Sequence, residues 1–348
     1  MAYKIFLRVD YGACMHPHRQ PLGAIPVTAL STAFFQIQPD TDGNDLIAAV
    51  RDLPVTGVEL DYRLPAPLYH QICPALRKAG IPVTSLHNFC PLPLEFLNTG
   101  GSGDLFSLSD SRHEERQEAV KRTLQTIDNA HDLEAGAVVL HCGRVAMPAE
   151  TRQLYDRFRQ GNPLSEATRR WLEEKIAARD RLKPAHIDAL CFSLEKLLRA
   201  ADRREVQLGL ETRYHYHELP GPEDFRPLLQ KFEGAPIGYW HDTGHAFVNE
   251  QLGLTAEGGL LQNLADRLIG IHLHDAQGLE DHLPPGSGQI DFKVFAAHLT
   301  SGALPVMELR PGTPVEAVRD GLAHLASCFT NDNDLSLIHI SEPTRPKR

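Results

Sequence analysis

The sequence predicts an α/β protein, a single (β/α)8 barrel, and two observations support this fold class. Short apolar segments rich in β-branched residues recur along the chain, and each precedes a longer segment with helical spacing of its apolar residues. About eight such units can be counted, which is typical of a closed parallel sheet surrounded by helices. At 348 residues, 42% of them hydrophobic, the chain can form one such barrel of about 250 residues with its core.

The strands are predicted from short apolar runs, and four of the intervening segments show clear helical periodicity. The predicted strands are 27–34, 57–61, 82–87, 137–141, 207–211, 237–242, 268–272 and 305–308. The predicted helices are 68–79, 116–131, 223–232 and 315–326. Pro222 suits the first turn of the third helix, and Gly234 suits the residue that follows its end.

One barrel domain is expected at residues 25–330, interrupted after the fourth strand by a helical insert at about 144–204. The insert is too long for an ordinary loop, so we interpret it as a lid or an accessory helix pair. Residues 1–24 are interpreted as an N-terminal extension. Residues 331–348 end in LSLIHISEPTRPKR, which resembles the translation of a sequencing adapter, and are interpreted as a disordered, artefactual tail.

Composition excludes several classes of protein. The net charge of -10 disfavours a nucleic-acid partner bound through its phosphates, although a local basic groove is compatible with it. The six cysteines form no CxxC pair, which fits a reducing compartment. No apolar run approaches the roughly 18 residues of a membrane span, and no secretory signal is recognised. We therefore expect a cytoplasmic protein with no membrane partner, and homo-oligomerisation stays open.

Ionisable residues end seven of the eight predicted strands. They are Asp61, His87, His141, Glu211, Asp242, His272 and Glu308. In a parallel barrel these ends meet on one face, and burying them is tolerable only if they pair or bind a cation. Glu59 alternates with Asp61 on the second strand; we interpret both as a salt bridge at the core edge rather than as residues of the barrel mouth.

Two segments carry the clearest ligand pattern. In WHDTGHA, Asp242 and His245 stand three residues apart across a turn at Gly244 and can face one ion. Alternatively, Asp242 caps the following helix and His245 lies on the surface. In IHLHD, His272 and His274 alternate onto the same side of a strand, so either can be a ligand.

Glu211 and Glu308 each end an apolar strand, and either one alone would be read as an ordinary strand-end carboxylate. With Asp242 and His272 they complete a set of three carboxylates and one imidazole. Such a set suits Mn2+, Co2+, Mg2+ or Zn2+. The sequence therefore predicts a metal-dependent enzyme.

These segments resemble the xylose isomerase-like TIM barrel superfamily, which includes sugar isomerases, ketose 3-epimerases and the endonuclease IV branch of DNA repair enzymes. The resemblance covers about 25–326 and is most specific at HDTGHAF, IHLHDAQG and DHLPPGSGQIDF. The epimerase branch implies metal ligands at Glu211, Asp242, His272 and Glu308, and substrate contacts at His245 and His282.

The endonuclease IV branch implies a larger site with up to three ions. Its additional ligand positions correspond to His87, His141, His245 and His282. Where that branch has an aspartate two residues before the last histidine, this chain has Glu280. We expect one bound ion per chain, and the sequence leaves open whether a second or a third ion also binds.

The resemblance implies a divalent-metal-dependent sugar or sugar-phosphate isomerase or epimerase with a small carbohydrate substrate. One of Glu211 and Glu308 would remove a proton next to a carbonyl, and the other would return it. The sequence does not choose between epimerisation and isomerisation. The alternative is a trinuclear phosphodiesterase acting on abasic DNA, although the loop 88–93 after His87 has no basic cluster to bind phosphates. A barrel retained as a non-enzymatic binding protein is the third reading.

Other side chains are candidates for substrate binding. Arg213 and Arg310 each lie two residues past a predicted glutamate ligand and can bind a phosphate or carboxylate, or else serve a capping or surface role. His274 is a substrate-binding candidate if His272 is the ligand. The segment YHYH at 214–217 can line the pocket or form a solvated loop.

Overall fold

The structure is a computed structural model that describes residues 28–38, 40–99, 101–160, 165–299 and 302–329. The predicted extension 1–24 and the predicted tail 331–348 lie outside the described residues, as do residues 25–27 of the predicted barrel. None of the described helices is long and apolar enough to cross a membrane.

Eight parallel strands close into a barrel, as the sequence predicts, and each pairs with its neighbours in chain order. The strands are β1 Ala29–Ser31, β2 Val58–Leu60, β3 Val83–His87, β4 Ala137–Leu140, β5 Gln207–Glu211, β6 Ile237–Asp242, β7 Leu268–Leu273 and β10 Leu304–Met307. After β7 the chain adds an antiparallel hairpin of β8 Asp275–Gln277 and β9 Glu280–Leu283. The predicted (β/α)8 fold class is confirmed.

Helices alternate with these strands, and all four predicted helices are present with ends that differ by up to three residues. The α-helices are α1 Gly43–Arg51, α2 Ala66–Ala79, α3 His113–Asp132, α4 Thr151–Arg159, α5 Glu166–Arg204, α6 Phe225–Lys231, α7 Thr243–Gln251, α8 Gly259–Leu264, α9 Ala296–Leu299 and α10 Val315–Phe329. In α2, Leu68, Ile72 and Leu76 recur at four-residue spacing and are buried on the side that faces the barrel. Gly80 ends α2 at a φ of 69°, which glycine adopts without strain.

The helical insert after β4 is present but is shorter than the predicted 144–204. Helix α5 is one continuous helix of 39 residues, and Leu190, Leu194 and Leu197 in its second half are buried. This half packs against α3 and β5, so it is the outer barrel helix that follows β4. The insert proper therefore consists of α4 and the first half of α5.

Trp240 of β6 fills the interior of the barrel. Its side chain is fully buried among Ala29, Ala137, Val139 and Val306. Small residues make the space for this indole: a Cβ added at Gly209 would lie 2.8 Å from Trp240 Cε3, and one at Gly270 would lie closer still. The indole closes the barrel below the carboxyl ends of the strands and so forms a floor under them.

Candidate metal centre

The carboxyl-terminal rim of the barrel brings together six of the seven predicted strand-end residues. The side chains that meet there are His87, His141, Glu211, Asp242, His272 and Glu308. Asp61 is also buried, but it pairs with Arg63 at 3.3 Å and belongs to none of the ligand groups found among the described residues.

The central group consists of Glu211, Asp242, His272 and Glu308, whose ligand atoms all lie within 4.8 Å of one another. The Nδ1 atom of His272 lies 3.0 Å from Glu211 Oε1, 3.0 Å from Glu308 Oε2 and 3.7 Å from Asp242 Oδ2. All four side chains are at most 3% exposed. Three carboxylates at this spacing in a buried site repel one another, and a divalent cation would offset that repulsion.

A second group shares Glu211 with the first. Glu211 Oε2 lies 2.7 Å from His141 Nε2 and 3.3 Å from His87 Nε2, yet this oxygen accepts no hydrogen bond from the described residues. A carboxylate oxygen and two imidazole nitrogens that converge in this way are arranged as metal ligands are. The donor set of the rim therefore fits a divalent cation.

A third group, Asp242, His245 and His282, shares Asp242 with the first. Asp242 also caps α7, because its carboxylate accepts the backbone N–H of His245 at 2.7 Å. The ring of His245 is buried and its Nδ1 donates to the carbonyl of Thr212 at 2.9 Å, which leaves Nε2 with a free lone pair. Asp242 therefore serves as both cap and ligand candidate, and His245 does not lie on the surface.

The electrostatics of the rim keep the carboxylates ionised. Burial favours the neutral acid, but His141, His272 and His87 hold the pKa of Glu211 well below its usual range. The pKa of Glu308 is lowered too, since burial is outweighed by His272 and His282. The ionised form is the one that binds a cation or accepts a proton.

The same charges act in the opposite direction on the imidazoles. Burial lowers the pKa of His272, but Glu308 and Glu59 outweigh it, so the pKa lies well above the usual value. For His141, burial and Arg213 lower the pKa, whereas Asp104 and Glu211 raise it to about 9. Without a cation the cluster therefore holds protons, and a cation must displace them.

His274 is the neighbour of the ligand group rather than a member of it. Its Nδ1 accepts the backbone N–H of His282 at 2.8 Å, so its proton is on Nε2 and is donated to the carboxylate of Asp242 at 2.9 Å. Gly244 leaves room for the ring, because a Cβ there would lie 2.5 Å from His274 Nδ1. Of the two alternating histidines, His272 is the one whose Nδ1 faces the carboxylates of Glu211 and Glu308.

Glu280 lies apart from the three groups. Its side chain is 65% exposed and pairs with Arg310 at 2.8 Å in the wall of a cleft that leads to the rim. The adjacent Asp281 faces the rim instead, 3.6 Å from His245 Nε2 and 3.1 Å from His282 Nδ1. Matching by sequence position did not find Asp281, because His282 at a φ of 54° turns the hairpin in a way that the residue pattern does not reveal.

Arg213 is buried in an ion-pair network rather than pointing into open space. Its Nη2 donates to Asp104 at 2.8 Å and to Glu218 at 3.0 Å, while its Nη1 lies 3.9 Å from Glu211 Oε2. Asp104 also lies 3.3 Å from His141 Nδ1 and so orients that ring. Asp104 comes from a loop after β3 and ends no strand, so the strand pattern does not predict it as a site residue.

The segment 214–217 lines the rim on the side of the insert. Tyr214 packs edge-on against His245, with ring centroids 5.5 Å apart. His215 Nε2 and the hydroxyl of Tyr155 in α4 form a 3.0 Å hydrogen bond, which connects the insert to the site. Glu218 anchors the segment by accepting the backbone N–H groups of Tyr214 and His215.

Glu59 forms a salt bridge, as predicted, but its partner is His272 inside the barrel rather than a residue at the core edge. Its carboxylate lies 3.1 Å from His272 Nε2 and accepts a hydrogen bond from Ser85 Oγ at 2.8 Å. The side chain is fully buried inside the barrel. It was missed as a site residue because it lies within β2, below the rim.

An open cleft of about 850 Å3 leads to the rim. Its walls are Tyr62 and Arg63 after β2, Tyr155 and Phe158 of α4, and the β8–β9 hairpin with Arg310. Asp281 and His282 lie in its wall and border the third ligand group. A small molecule can therefore reach the ligand groups from solvent between the insert and the hairpin.

Comparisons with known proteins agree with this architecture. A family model described as xylose isomerase-like TIM barrel matches residues 47–328. No curated protein sequence matches the chain. Three solved structures illustrate the fold that it shares.

The first is 3-keto-D-glucoside 4-epimerase from E. coli, at 18% identity and a TM-score of 0.60 over 86% of this chain and 100% of that one. The second is a D-tagatose 3-epimerase-like protein, at 16% identity and a TM-score of 0.62, and the match covers 89% of this chain and 99% of that one. The third is a xylose isomerase-like TIM barrel protein from Mycobacterium smegmatis in complex with magnesium, at 14% identity and a TM-score of 0.60. The match covers 87% of this chain and 96% of that one.

Proposed function

The chain belongs to the xylose isomerase-like TIM barrel family, and from this membership together with the buried ligand groups we propose that it is a divalent-metal-dependent sugar or sugar-phosphate isomerase or epimerase. The observation that carries the proposal is the position of two glutamates: Glu211 and Glu308 come from different strands, and each lies 3.0 Å from His272 Nδ1. The structural relatives include a 3-keto-D-glucoside 4-epimerase, which supports a carbohydrate substrate.

The proposed ion is held by Glu211, Asp242, His272 and Glu308, a set that suits Mn2+, Co2+, Mg2+ or Zn2+. When bound, a divalent cation stabilises the negative charge that develops on substrate oxygens as a carbon-bound proton leaves. A solved structure of similar fold was determined in complex with magnesium, which supports a divalent ion in this chain.

The two glutamates carry the proton transfer. Because the pKa values of Glu211 and Glu308 are both lowered, each carboxylate is ionised near neutral pH and can accept a proton. One removes the proton next to the substrate carbonyl and later releases it to solvent through the cleft. The other takes up a proton from solvent and delivers it to the deprotonated substrate from its own side, so one proton leaves and one enters in each turnover. Return to the opposite face of the same carbon gives epimerisation, and return to the neighbouring carbon gives isomerisation.

The remaining groups of the rim bind and orient the substrate. His282 lines the cleft, and His245 Nε2 has a free lone pair beside it, so both can hydrogen bond sugar hydroxyls. Tyr62 and Tyr155 lie in the wall of the same cleft and can contact the sugar. The floor at Trp240 closes the barrel below the reacting atoms and keeps solvent from entering there.

The proposal is tested by proton exchange. The purified protein, loaded in turn with each of the four metals, is incubated in D2O with ketoses, keto-glycosides and their phosphates. We expect deuterium at the carbon next to the carbonyl of at least one substrate, and no such exchange with Glu308→Gln. The matched control is Glu166→Gln, an exposed carboxylate at the start of α5 that does not line the cleft, and this variant should retain exchange. Absence of exchange from metal-loaded protein across the panel would refute the proposal.

The second and third ligand groups favour one alternative function. Three groups that share Glu211 and Asp242 suit a trinuclear centre, which would activate water and stabilise the leaving oxygen of a phosphodiester. In this function Asp281, rather than Glu280, supplies the carboxylate beside His245 and His282. Three ions per chain together with cleavage of abasic DNA would support a phosphodiesterase over the isomerase.

A further inference from the structure

We propose that Glu59 is a positioning residue for the metal centre, whose carboxylate fixes the tautomer of His272 so that Nδ1 is free to bind the ion. This inference rests on the proposed metal-dependent function. It concerns a residue inside the barrel, one layer below the ligands that the rim contributes.

The position of Glu59 follows from the strand register. In β2 it pairs with Ser31 of β1 and with Ser85 of β3, and its side chain points into the barrel, where it is fully buried. Ser85 Oγ donates to Glu59 Oε2 at 2.8 Å. His272 Nε2, from the far side of the barrel, lies 3.1 Å from Oε1 and 3.2 Å from Oε2.

This contact determines which ring nitrogen of His272 carries the proton. A neutral imidazole has one N–H, and an ionised carboxylate can only accept a hydrogen bond. A proton on Nε2 is shared by both oxygens of Glu59, which leaves the Nδ1 lone pair facing Glu211 and Glu308. Without Glu59, those carboxylates would favour the tautomer with its proton on Nδ1, which cannot bind a metal. The carboxylate therefore selects the ligand-competent form.

Packing restrains the ring but does not select the tautomer. The indole of Trp240 meets the ring of His272 edge-on, with centroids 5.2 Å apart, and His87 stacks on it at 5.8 Å. These contacts fix the plane of the imidazole, whereas the proton position depends on the acceptor opposite Nε2. A carboxylate this deep in a barrel is costly to bury, and an apolar residue would fill the space at lower cost. A role in holding His272 explains why the charge is there.

The test measures metal affinity rather than activity. Glu59→Met keeps a side chain of similar length but removes both acceptor oxygens, and we expect the dissociation constant for Zn2+ or Mn2+, measured by competition with a chromophoric chelator, to rise about 10- to 100-fold. Ser85→Ala is the matched control, because it removes the other hydrogen bond of Glu59 and leaves the contact with His272 intact. Its metal affinity should stay unchanged. Thermal unfolding of the metal-free variants separates loss of affinity from loss of fold.

A second measurement does not depend on any variant. Long-range 1H–15N spectra of the Zn2+-loaded wild type should show His272 with its proton on Nε2 and the metal on Nδ1. A proton on Nδ1, or a Glu59→Met protein that is folded and binds metal as tightly as the wild type, would overturn the role of Glu59 while leaving the proposed function standing. A wild type that binds no divalent ion would refute the proposed function itself and this role with it.

Discussion

Replacement of Arg213 by methionine tests whether this arginine belongs to the structure of the site or to substrate binding. The guanidinium is 4% exposed and bridges the carboxylates of Asp104 and Glu218 at 2.8 and 3.0 Å. Methionine keeps much of the volume but leaves both carboxylates without their cation. Breaking a buried ion pair in this way costs about 3–5 kcal/mol.

The expected loss lies near the lower end of that range, because each carboxylate keeps another partner. Asp104 retains His141, and Glu218 retains the backbone N–H groups of Tyr214 and His215. We therefore expect Arg213→Met to lower the free energy of unfolding by about 3 kcal/mol, measured by urea denaturation of the metal-free protein.

The matched control is Arg310→Met, the other arginine that follows a glutamate ligand. Arg310 is 42% exposed and pairs with Glu280, which is 65% exposed, so its loss should cost no more than about 1 kcal/mol. Equal losses in the two variants would refute the reasoning, since they would mean that the burial of the Arg213 network contributes nothing to stability.

Three further predictions concern the ligands, the protons and the floor of the barrel. Glu308→Gln should slow deuterium exchange at the substrate carbon by at least about 100-fold, because an amide cannot accept the proton, and undiminished exchange would contradict this. Despite burial, neighbouring carboxylates raise the pKa of His272 well above its usual range and that of His141 to about 9. A cation must displace these protons, so the affinity for the cation should rise with pH toward about 9. Calorimetry in buffers of different ionisation enthalpy measures the protons released on binding. A metal affinity that does not change with pH would contradict this displacement. Gly270→Ala should lower the free energy of unfolding by about 1–3 kcal/mol, because its Cβ would overlap the indole that fills the barrel. Gly136→Ala is the control, because the nearest atom to its new Cβ is 3.9 Å away. It should leave the free energy of unfolding unchanged in the same denaturation experiment.

The barrel could be predicted because its strands are short apolar runs that alternate with amphipathic helices. The extent of the insert could not be predicted from the sequence, because α5 continues through Pro184 without interruption. The sequence around that proline gives no sign that an accessory helix becomes a barrel helix. Burial of Leu190, Leu194 and Leu197 marks the change, and it depends on what the helix packs against.

Part of the rim could be predicted for a topological reason. Parallel strands in one barrel end on one face, so a residue such as Glu211 that ends a strand must meet residues that end the others. Loop residues follow no such rule, which is why Asp104 and Asp281 were not found. Glu59 belongs to a third case: its residue type and strand were evident, but its partner across the barrel depends on the register of the strands.

The central claim is that the carboxylates and imidazoles of the rim hold a divalent cation. Its most direct test is elemental analysis of the wild type and of Glu308→Gln after equilibrium dialysis against Mn2+, Co2+, Mg2+ and Zn2+. We predict one tightly bound ion per wild-type chain with at least one of these metals, and its loss in the variant. A wild-type protein that retains none of the four metals, or a variant that retains as much as the wild type, would contradict the claim.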